Sequence, residues 1–430
     1  MYKQITKELI DFITASTDCY HAVQNIKAEL DKVGYKELLE SESWDLKKGG
    51  RYYTTRNLSS IIAFEIPQNE YNGFMITASH CDSPTYKLKP QPIVSDGTYA
   101  RLSVEKYGGP IASSWLDRPL GISGRLAIKT ENGIKIKLVK TDRDIVVIPS
   151  LAIHLEREVK EPNTAVDMLP LASCADGDFM DSIAKFADVK ADDIIAHDLF
   201  LYNRTHGSIW GCEDEYFSVA RLDDLQCVYS ALKGFVDSKK TDNIKMYCVF
   251  DNEEVGNETK QGAKSTFLTD VVERINSALG YDGERLKKSI SSSFMVSADN
   301  AHAVHPNRSE MSDKTSRPVL NGGVVIKNNA NQRYTTDSVS EAIFKSICDK
   351  ANVPYQSYTN RSDLRGGTTL GNAANEKLSL NTIDIGAPQL AMHSSYETGG
   401  TKDTMHMIQA LTAFYSASVK VISEYEYEIN

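Results

Sequence analysis

Apolar residues recur at helical spacing through the first forty positions: Ile5, Leu9, Ile10 and Ile13, then Val23, Ile26, Leu30 and Val33. That period predicts helices laid against a core. Strand-like runs follow at 59–66 and 74–78. The second is apolar without alternation, as in a strand covered on both faces of a parallel sheet. From about 85 to 211 the texture changes to short alternating segments, 124–129, 134–139 and 144–148, between turn signals such as Glu131-Asn-Gly133. This predicts an antiparallel, β-rich insert whose end, 175–198, is acidic and more helical. After 211 strands and helices alternate again. A helix is expected over 223–235, a buried strand over 244–250, and strands over 294–297, 323–327 and 381–385. Further helix signals lie at 263–276, 338–351 and 403–425. Such alternation predicts an α/β sandwich with helices on both faces of a mixed or parallel sheet. One α/β domain in two pieces, 1–84 and 212–430, would then carry an inserted β-rich domain, 85–211.

Composition narrows the class. With 430 residues, 41% of them hydrophobic and 25% charged, the chain is long enough for two or three units and too apolar to be mostly disordered. No apolar run reaches the 18 or so residues of a membrane span. The first residues show no apolar signal-peptide core. A net charge of −10, with no block rich in Lys or Arg, argues against nucleic-acid or acidic-membrane partners. Seven cysteines with no Cys-x-x-Cys spacing read as reduced thiols. The expectation is a soluble, cytoplasmic protein.

The candidate chemistry sits just after predicted strands. His80 follows 74–78, with Asp82 two residues on. Glu253 and Glu254 follow 244–250, Asp299 follows 294–297, and His393 lies a short loop after 381–385. Ligands of open α/β sheets bind beyond the carboxyl ends of strands, so these residues could meet at one edge. Asp223 sits at an expected helix start facing the same crevice. The set suits two divalent metals: one bridging carboxylate, and for each ion a further carboxylate and an imidazole. Mixed N/O ligation of this kind fits Zn²⁺ first, with Mn²⁺ or Co²⁺ also compatible. Two such ions would acidify a water and polarise a carbonyl, and a second Glu beside a ligand Glu can shuttle the proton. Taken singly, each piece has a bland reading: a Glu pair as a solvated turn, Asp223 as a helix cap, His393 as a histidine beside the core.

Together the motifs resemble the aspartyl aminopeptidase family of dinuclear zinc peptidases, which includes the vacuolar aminopeptidase I type. They are Ser79-His-Cys-Asp-Ser-Pro84, Arg221-Leu-Asp-Asp-Leu225, Asp251-Asn-Glu-Glu-Val-Gly256, Ser297 through Asn307 and Pro388-Gln-Leu-Ala-Met-His393. Tyr107-Gly-Gly109 and Leu151-Ala-Ile-His-Leu155 extend the resemblance into the insert. It implies a three-layer α/β/α zinc-peptidase domain with an inserted dimerisation domain. It also implies that Asp223 bridges two ions, His80 and Asp299 completing one site and Glu254 and His393 the other. Glu253 would be the general base and Asp82 a support behind the metals. His154 would be donated to a neighbouring subunit's site, and dimers would assemble into a dodecamer. Lys327, in Val-Ile-Lys, matches the lysine that receives an acidic substrate side chain; with the metal sites accounted for, His302 is left a substrate-contact or structural role, and the glycine-rich segment with Gly367 would shape the pocket for the first side chain. Asp224 and Arg365 depart from the family pattern, and Cys81 is given no chemistry.

The expected activity is therefore a metal-dependent aminopeptidase acting on peptides, preferring N-terminal Asp or Glu. An N-acyl amino acid deacylase is the same-class alternative. A catalytically inactive scaffold is the other, disfavoured because all five ligand positions and Glu253 are present.

Overall fold

The structure, a computed structural model, describes the chain apart from positions 156, 158, 159 and 175–178, with the backbone alone at 173 and 174. Four apolar strands form the parallel centre of a nine-stranded sheet. In order they are Ile244–Phe250, Phe74–His80, Phe294–Ala298 and Asn381–Gly386. On one side Ser60–Glu65 and Arg51–Arg56 continue the sheet antiparallel, with short Lys36–Glu37 at the edge. On the other, Val324–Asn328 runs against Asn381–Gly386 and pairs in parallel with Tyr355–Thr359. The sheet is thus mixed.

Successive side chains of a strand point to opposite faces, and here both faces are covered. Phe74, Ile76, Ala78 and Phe250 join one core with Phe267 and Val271 of helix Phe267–Ala278 and Leu370 of helix Leu370–Leu378. Met75, Tyr247 and Val249 join the other. That core is closed by helices Tyr2–Ala15, Cys19–Lys32, Leu222–Asp237, Ser338–Ala351 and Asp403–Ser416. Burial on both faces is why 74–78 reads as apolar without alternation. The result is a three-layer α/β/α arrangement.

A second sheet of six strands lies wholly between 85 and 203. Its order is Gly133–Lys140, Leu120–Thr130, Ile194–Asn203, Thr85–Ser95, Tyr99–Tyr107, Leu171–Cys174. It has its own core, including Tyr86, Leu102, Trp115, Leu126 and Leu199, with Ile183 of helix Phe179–Ala187 packed in. A third, five-stranded sheet collects Ser208–Trp210, Tyr216–Val219, Glu397–Gly400, Pro388–Leu390 and Ala301–His302. Residues 208–210 therefore pair outside the six-stranded sheet.

Three sequence expectations need correction. The last helix stops at Ser416 rather than continuing to 425; Val419–Ser423 and Glu426–Ile429 form a hairpin. Val419, Val421 and Ile422 are β-branched, and branched side chains favour a pleated strand over a helix. Residues 144–148 make isolated bridges, Leu120 with Val146 and Val147 with Leu171, not a laddered strand. The N–H groups of Ile145 and Val146 both go to the Leu120 carbonyl, and Pro149 has no N–H with which to extend the pairing. The helix expected from 263 starts at Phe267, because turns occupy the preceding residues and Asn257 accepts the Ala263 N–H. Of the acidic stretch 175–198, positions 175–178 lie outside the described residues; helix Phe179–Ala187 follows, then strand Ile194–Asn203.

Gly386 ends the strand next to Asp299, and a Cβ there would stand 2.0 Å from the Asp299 carbonyl oxygen. Gly386→Ala should lower stability by about 1–3 kcal/mol or more, as overpacking against backbone does. Gly283, at the start of helix Gly283–Ser291, has nothing within 4 Å of a built Cβ. Gly283→Ala should leave stability unchanged or raise it by up to about 1 kcal/mol. Urea-unfolding midpoints of the two variants check the contrast.

Candidate metal centre and active site

The parallel strands deliver their chemistry to one edge. His80 is the last residue of Phe74–His80. Glu253 and Glu254 lie in the short turn Glu253–Val255 after Ile244–Phe250, and Asp299 directly follows Phe294–Ala298. Asp223 is the second residue of helix Leu222–Asp237, at a kink where its own φ/ψ is −79°, 114° and the Asp223–Asp224 peptide is cis. His393 lies beyond Pro388–Leu390 with a left-handed φ of 68°.

These residues meet around Asp223, which is buried. Its Oδ1 lies 3.7 Å from His80 Nε2, and its Oδ2 lies 3.7 Å from His393 Nε2. His393 Nε2 is also 3.5 Å from Glu254 Oε2. Donor atoms of His80, Asp223 and Asp299 lie within 4.8 Å of one another, and so do those of Asp223, Glu254 and His393. A third such group joins His80, Glu253 and Glu254. Asp223 Oδ1 has no hydrogen-bond partner although it is buried.

The surroundings orient both imidazoles the same way. His80 Nδ1 bonds the Asp82 carbonyl oxygen at 3.0 Å, and His393 Nδ1 bonds the Gly109 carbonyl at 3.1 Å. Each Nε2 is left free to face Asp223. Anchoring the outer nitrogen of a ligand histidine in this manner fixes its tautomer and aim. Asp82 lies behind the cluster and accepts from the Tyr107 hydroxyl at 2.8 Å and from the N–H groups of Glu253 and Glu254, each at 3.2 Å. Tyr107 and Gly109 belong to the segment that ends strand Tyr99–Tyr107, so the β-rich part shapes this site. Gly108 between them, at φ 68°, brings its backbone so near that a Cβ would be 3.1 Å from Glu254 Cβ.

The electrostatics call for a cation. Burial, then Asp299, pushes the Asp223 carboxyl up to about 6 despite His80 and His393. Burial pushes Glu253 up to about 8, with Asp299, Asp82 and Asp223 adding to it and His80 opposing. Burial would lower His80, but Asp82, Asp224 and Glu253 outweigh it and hold the imidazole above its ordinary range. Uncompensated buried carboxylates are costly, whereas a bound cation reverses that balance.

The cleft over this cluster has a volume of about 430 Å³. Beyond the residues above it is lined by His302, Lys327, Tyr334, Gly367 and Thr369. Lys327 reaches it from the side. Its strand is antiparallel to Asn381–Gly386, so the lysine projects from within the sheet, not from the end where the acidic residues emerge. Its Nζ lies 3.4 Å from Asp299 Oδ1 and 5.7 Å from the Tyr334 ring centroid. Burial would lower Lys327, but Asp299, Tyr334 and Asp384 raise it above its usual value, so it stays charged. His302 stands edge-on to Tyr358. Arg365 is exposed, and Cys81 turns away to donate to the Ser59 carbonyl. His154 is exposed and does not line this cleft.

The profile of the family described as aminopeptidase I zinc metalloprotease (M18) matches residues 12–415. The chain belongs to the M18 family. A probable M18 family aminopeptidase 2 of Clostridium novyi is 44% identical over 427 residues, covering 96% of this chain and 99% of that one. Among solved structures, a chain of the Ape4 and Nbr1 complex is similar at 34% identity and a TM-score of 0.93, covering 96% of this chain and 86% of that one. Ape1 of S. cerevisiae, solved as a dodecamer, is 30% identical with a TM-score of 0.85, covering 96% and 97%. This M18 chain is accordingly a metalloaminopeptidase, a hydrolase of peptide bonds.

Two carboxylates went unremarked in the sequence. Buried Glu397 accepts the backbone N–H of Asp223 at 3.1 Å and of His393 at 2.8 Å. Buried Asp384 accepts from Thr335 and Thr369, each at 2.6 Å, and so pins two walls of the cleft. Neither sits in a recognisable motif; each is an acid in an otherwise apolar or small-residue stretch.

The M18 donor set fits zinc: two outward-anchored imidazoles, three carboxylates and an orphaned buried oxygen. Zinc added to chelator-stripped protein should therefore raise Tm in a concentration-dependent way. At a hundredfold the Kd the gain is about 2.7 kcal/mol. Differential scanning fluorimetry across a zinc series checks it, and an unmoved Tm would refute the assignment of this cluster.

Proposed function

We propose that this M18 enzyme removes N-terminal Asp and Glu residues from peptides, using two divalent ions. His80, Asp223 and Asp299 would hold one, and Asp223, Glu254 and His393 the other. Zn²⁺ is the expected metal, with Mn²⁺ or Co²⁺ compatible with the same N/O donors. The observation that carries the reading is Asp223, whose two oxygens face two separate His-plus-carboxylate groups. When bound, the ions supply an acidified water and polarise the scissile carbonyl.

This chain's residues supply the rest. Glu253 stands in the same cluster without being needed for either triad. Its carboxylate takes a proton from the attacking water and returns it to the leaving amine as the C–N bond breaks. Its burial among carboxylates favours proton uptake. Asp82 holds the Glu253 and Glu254 backbone in place. Among the described residues, Lys327 is the one Lys or Arg lining the cleft. A net charge of −10 repels acidic peptides at long range, so a preference for them needs this local cation. His302 and Gly367, on the wall, would contact the substrate.

We further propose the division into a catalytic part, 1–84 with 212–430, and an assembly part, 85–211, that forms dimers and then a dodecamer. Support comes from the related dodecameric Ape1 and from the apolar segment around His154, where Leu151, Ile153 and Leu155 are each more than half exposed. His154 would enter a neighbour's cleft from there. Among the described residues no helix is long and apolar enough to cross a membrane, and six cysteines are free. With the acidic net charge, these features support a cytoplasmic enzyme without nucleic-acid or membrane partners.

Glu253→Ala should abolish turnover and keep both metals, whereas Asp223→Ala should lose metal as well. Elemental analysis beside peptidase assays separates them, and normal activity in the Glu253 variant would sink the mechanism. Lys327→Met should cut kcat/KM on Asp- and Glu-peptides about ten- to a hundredfold while sparing Leu- and Ala-peptides. Equal losses on acidic and neutral substrates, with metal content unchanged, would assign Lys327 a structural role.

A further inference from the structure

We infer that Glu397 is the positioning residue that sets the second metal site, the one formed by Asp223, Glu254 and His393; the inference rests on the metal reading above. Its two carboxylate oxygens divide between two ligand segments. Oε2 accepts the Asp223 N–H at 3.1 Å, and Oε1 accepts the His393 N–H at 2.8 Å. Two of that site's three ligands thus hang from one carboxylate, against one of three at the His80 and Asp299 site.

The backbone it holds does not rest in an ordinary conformation. His393 has φ 68°, a left-handed geometry unfavourable for a residue with a Cβ and kept only where neighbours impose it. Ala391, two residues earlier, is left-handed as well, at 57°. Without the bond to Glu397 the loop would have cause to relax, carrying the imidazole away from Asp223.

Glu397 also anchors a buried polar chain that reaches the other ligand segments. Gln389 Nε2 donates to Glu397 Oε1 at 3.4 Å, and its Oε1 accepts from Asn300 Nδ2 at 2.6 Å. Asn300 follows Asp299 in sequence and also donates to the Leu222 carbonyl, next to Asp223, at 3.2 Å. Glu397, Gln389 and Asn300 are all buried. A buried carboxylate is poor value for stability alone, since an apolar side chain of similar size often serves as well. Its placement on two ligand N–H groups gives it a purpose that packing does not. A glutamine cannot replace it, because the amide presents one acceptor and one donor where two acceptors are required.

The test uses full-length wild-type and Glu397→Gln enzyme, with the two zinc dissociation constants measured by chelator competition alongside Tm, kcat and KM. Loss of an outer partner commonly costs ten- to a hundredfold in metal affinity. The inference expects one zinc weakened by that factor and the other shifted less than about threefold. Activity should be lost at limiting zinc and regained as free zinc rises, with KM unchanged at saturation. In a His393→Ala background the same substitution should add little to the loss of that ion. A lower Tm with both zinc constants unchanged, or equal weakening of both ions, overturns the inference and leaves Glu397 structural. Should the glutamine variant not fold, Glu397→Asp keeps the charge, shortens the reach and must show the same one-sided loss. Failure of the wild-type enzyme to bind two zinc ions would instead remove the metal reading beneath it.

Discussion

The structure turns on the burial of Asp223 among other carboxylates. Glu253, Glu254 and Asp299 crowd the same space as His80 and His393, and Asp223 Oδ1 has no hydrogen-bond partner. Such a cluster is costly unless its charge is offset by proton uptake, by neighbours such as Lys327 or by a bound cation, because a buried carboxylate without compensation is strongly disfavoured. Membership of a zinc aminopeptidase family agrees with that physical demand. The parallel centre of the sheet exists, in functional terms, to bring acidic and imidazole residues from distant sequence positions to one edge.

Rigidity at that edge comes from groups that do not line the cleft. Asp82, Glu397 and Asp384 each spend both carboxylate oxygens on holding backbone or hydroxyl groups around the cleft. The β-rich part takes a share through the Tyr107 hydroxyl on Asp82 and the Gly109 carbonyl on His393. It is therefore wedded to the site within a single chain, apart from any role in assembly. A change in how that sheet seats would be felt at Asp82 and His393 first.

Lys327 shows how much depends on strand direction. Read along the sequence, it closes an apolar strand and looks like its parallel neighbours. In the fold its strand runs the other way, and the side chain enters the cleft from the side, 3.4 Å from Asp299. The lysine thus shares the electrostatics of the carboxylate cluster as well as those of the cleft. The same pair keeps Lys327 charged and gives Asp299 a fixed neighbour.

Much was legible in the chain itself. Runs such as 74–78 and 244–250 announced doubly covered strands because period and composition are local properties. The short motifs around His80, Asp223, Glu253 and His393 announced the chemistry because residue types and spacing are local too. The β-branched run Val419, Val421 and Ile422 was a local signal for the hairpin that helical spacing alone overrode, whereas 144–148 only touches its neighbours because pairing there depends on what lies opposite. Nor could local signals single out Glu397, a lone acid four positions beyond His393, whose importance arises only when Asp223 arrives from far away in sequence to share it. Sequence determined which groups were available and the periodic faces that bury the sheet. Tertiary structure alone decided strand direction, the aim of each imidazole and the carboxylates that hold them, because those depend on partners far apart in the chain.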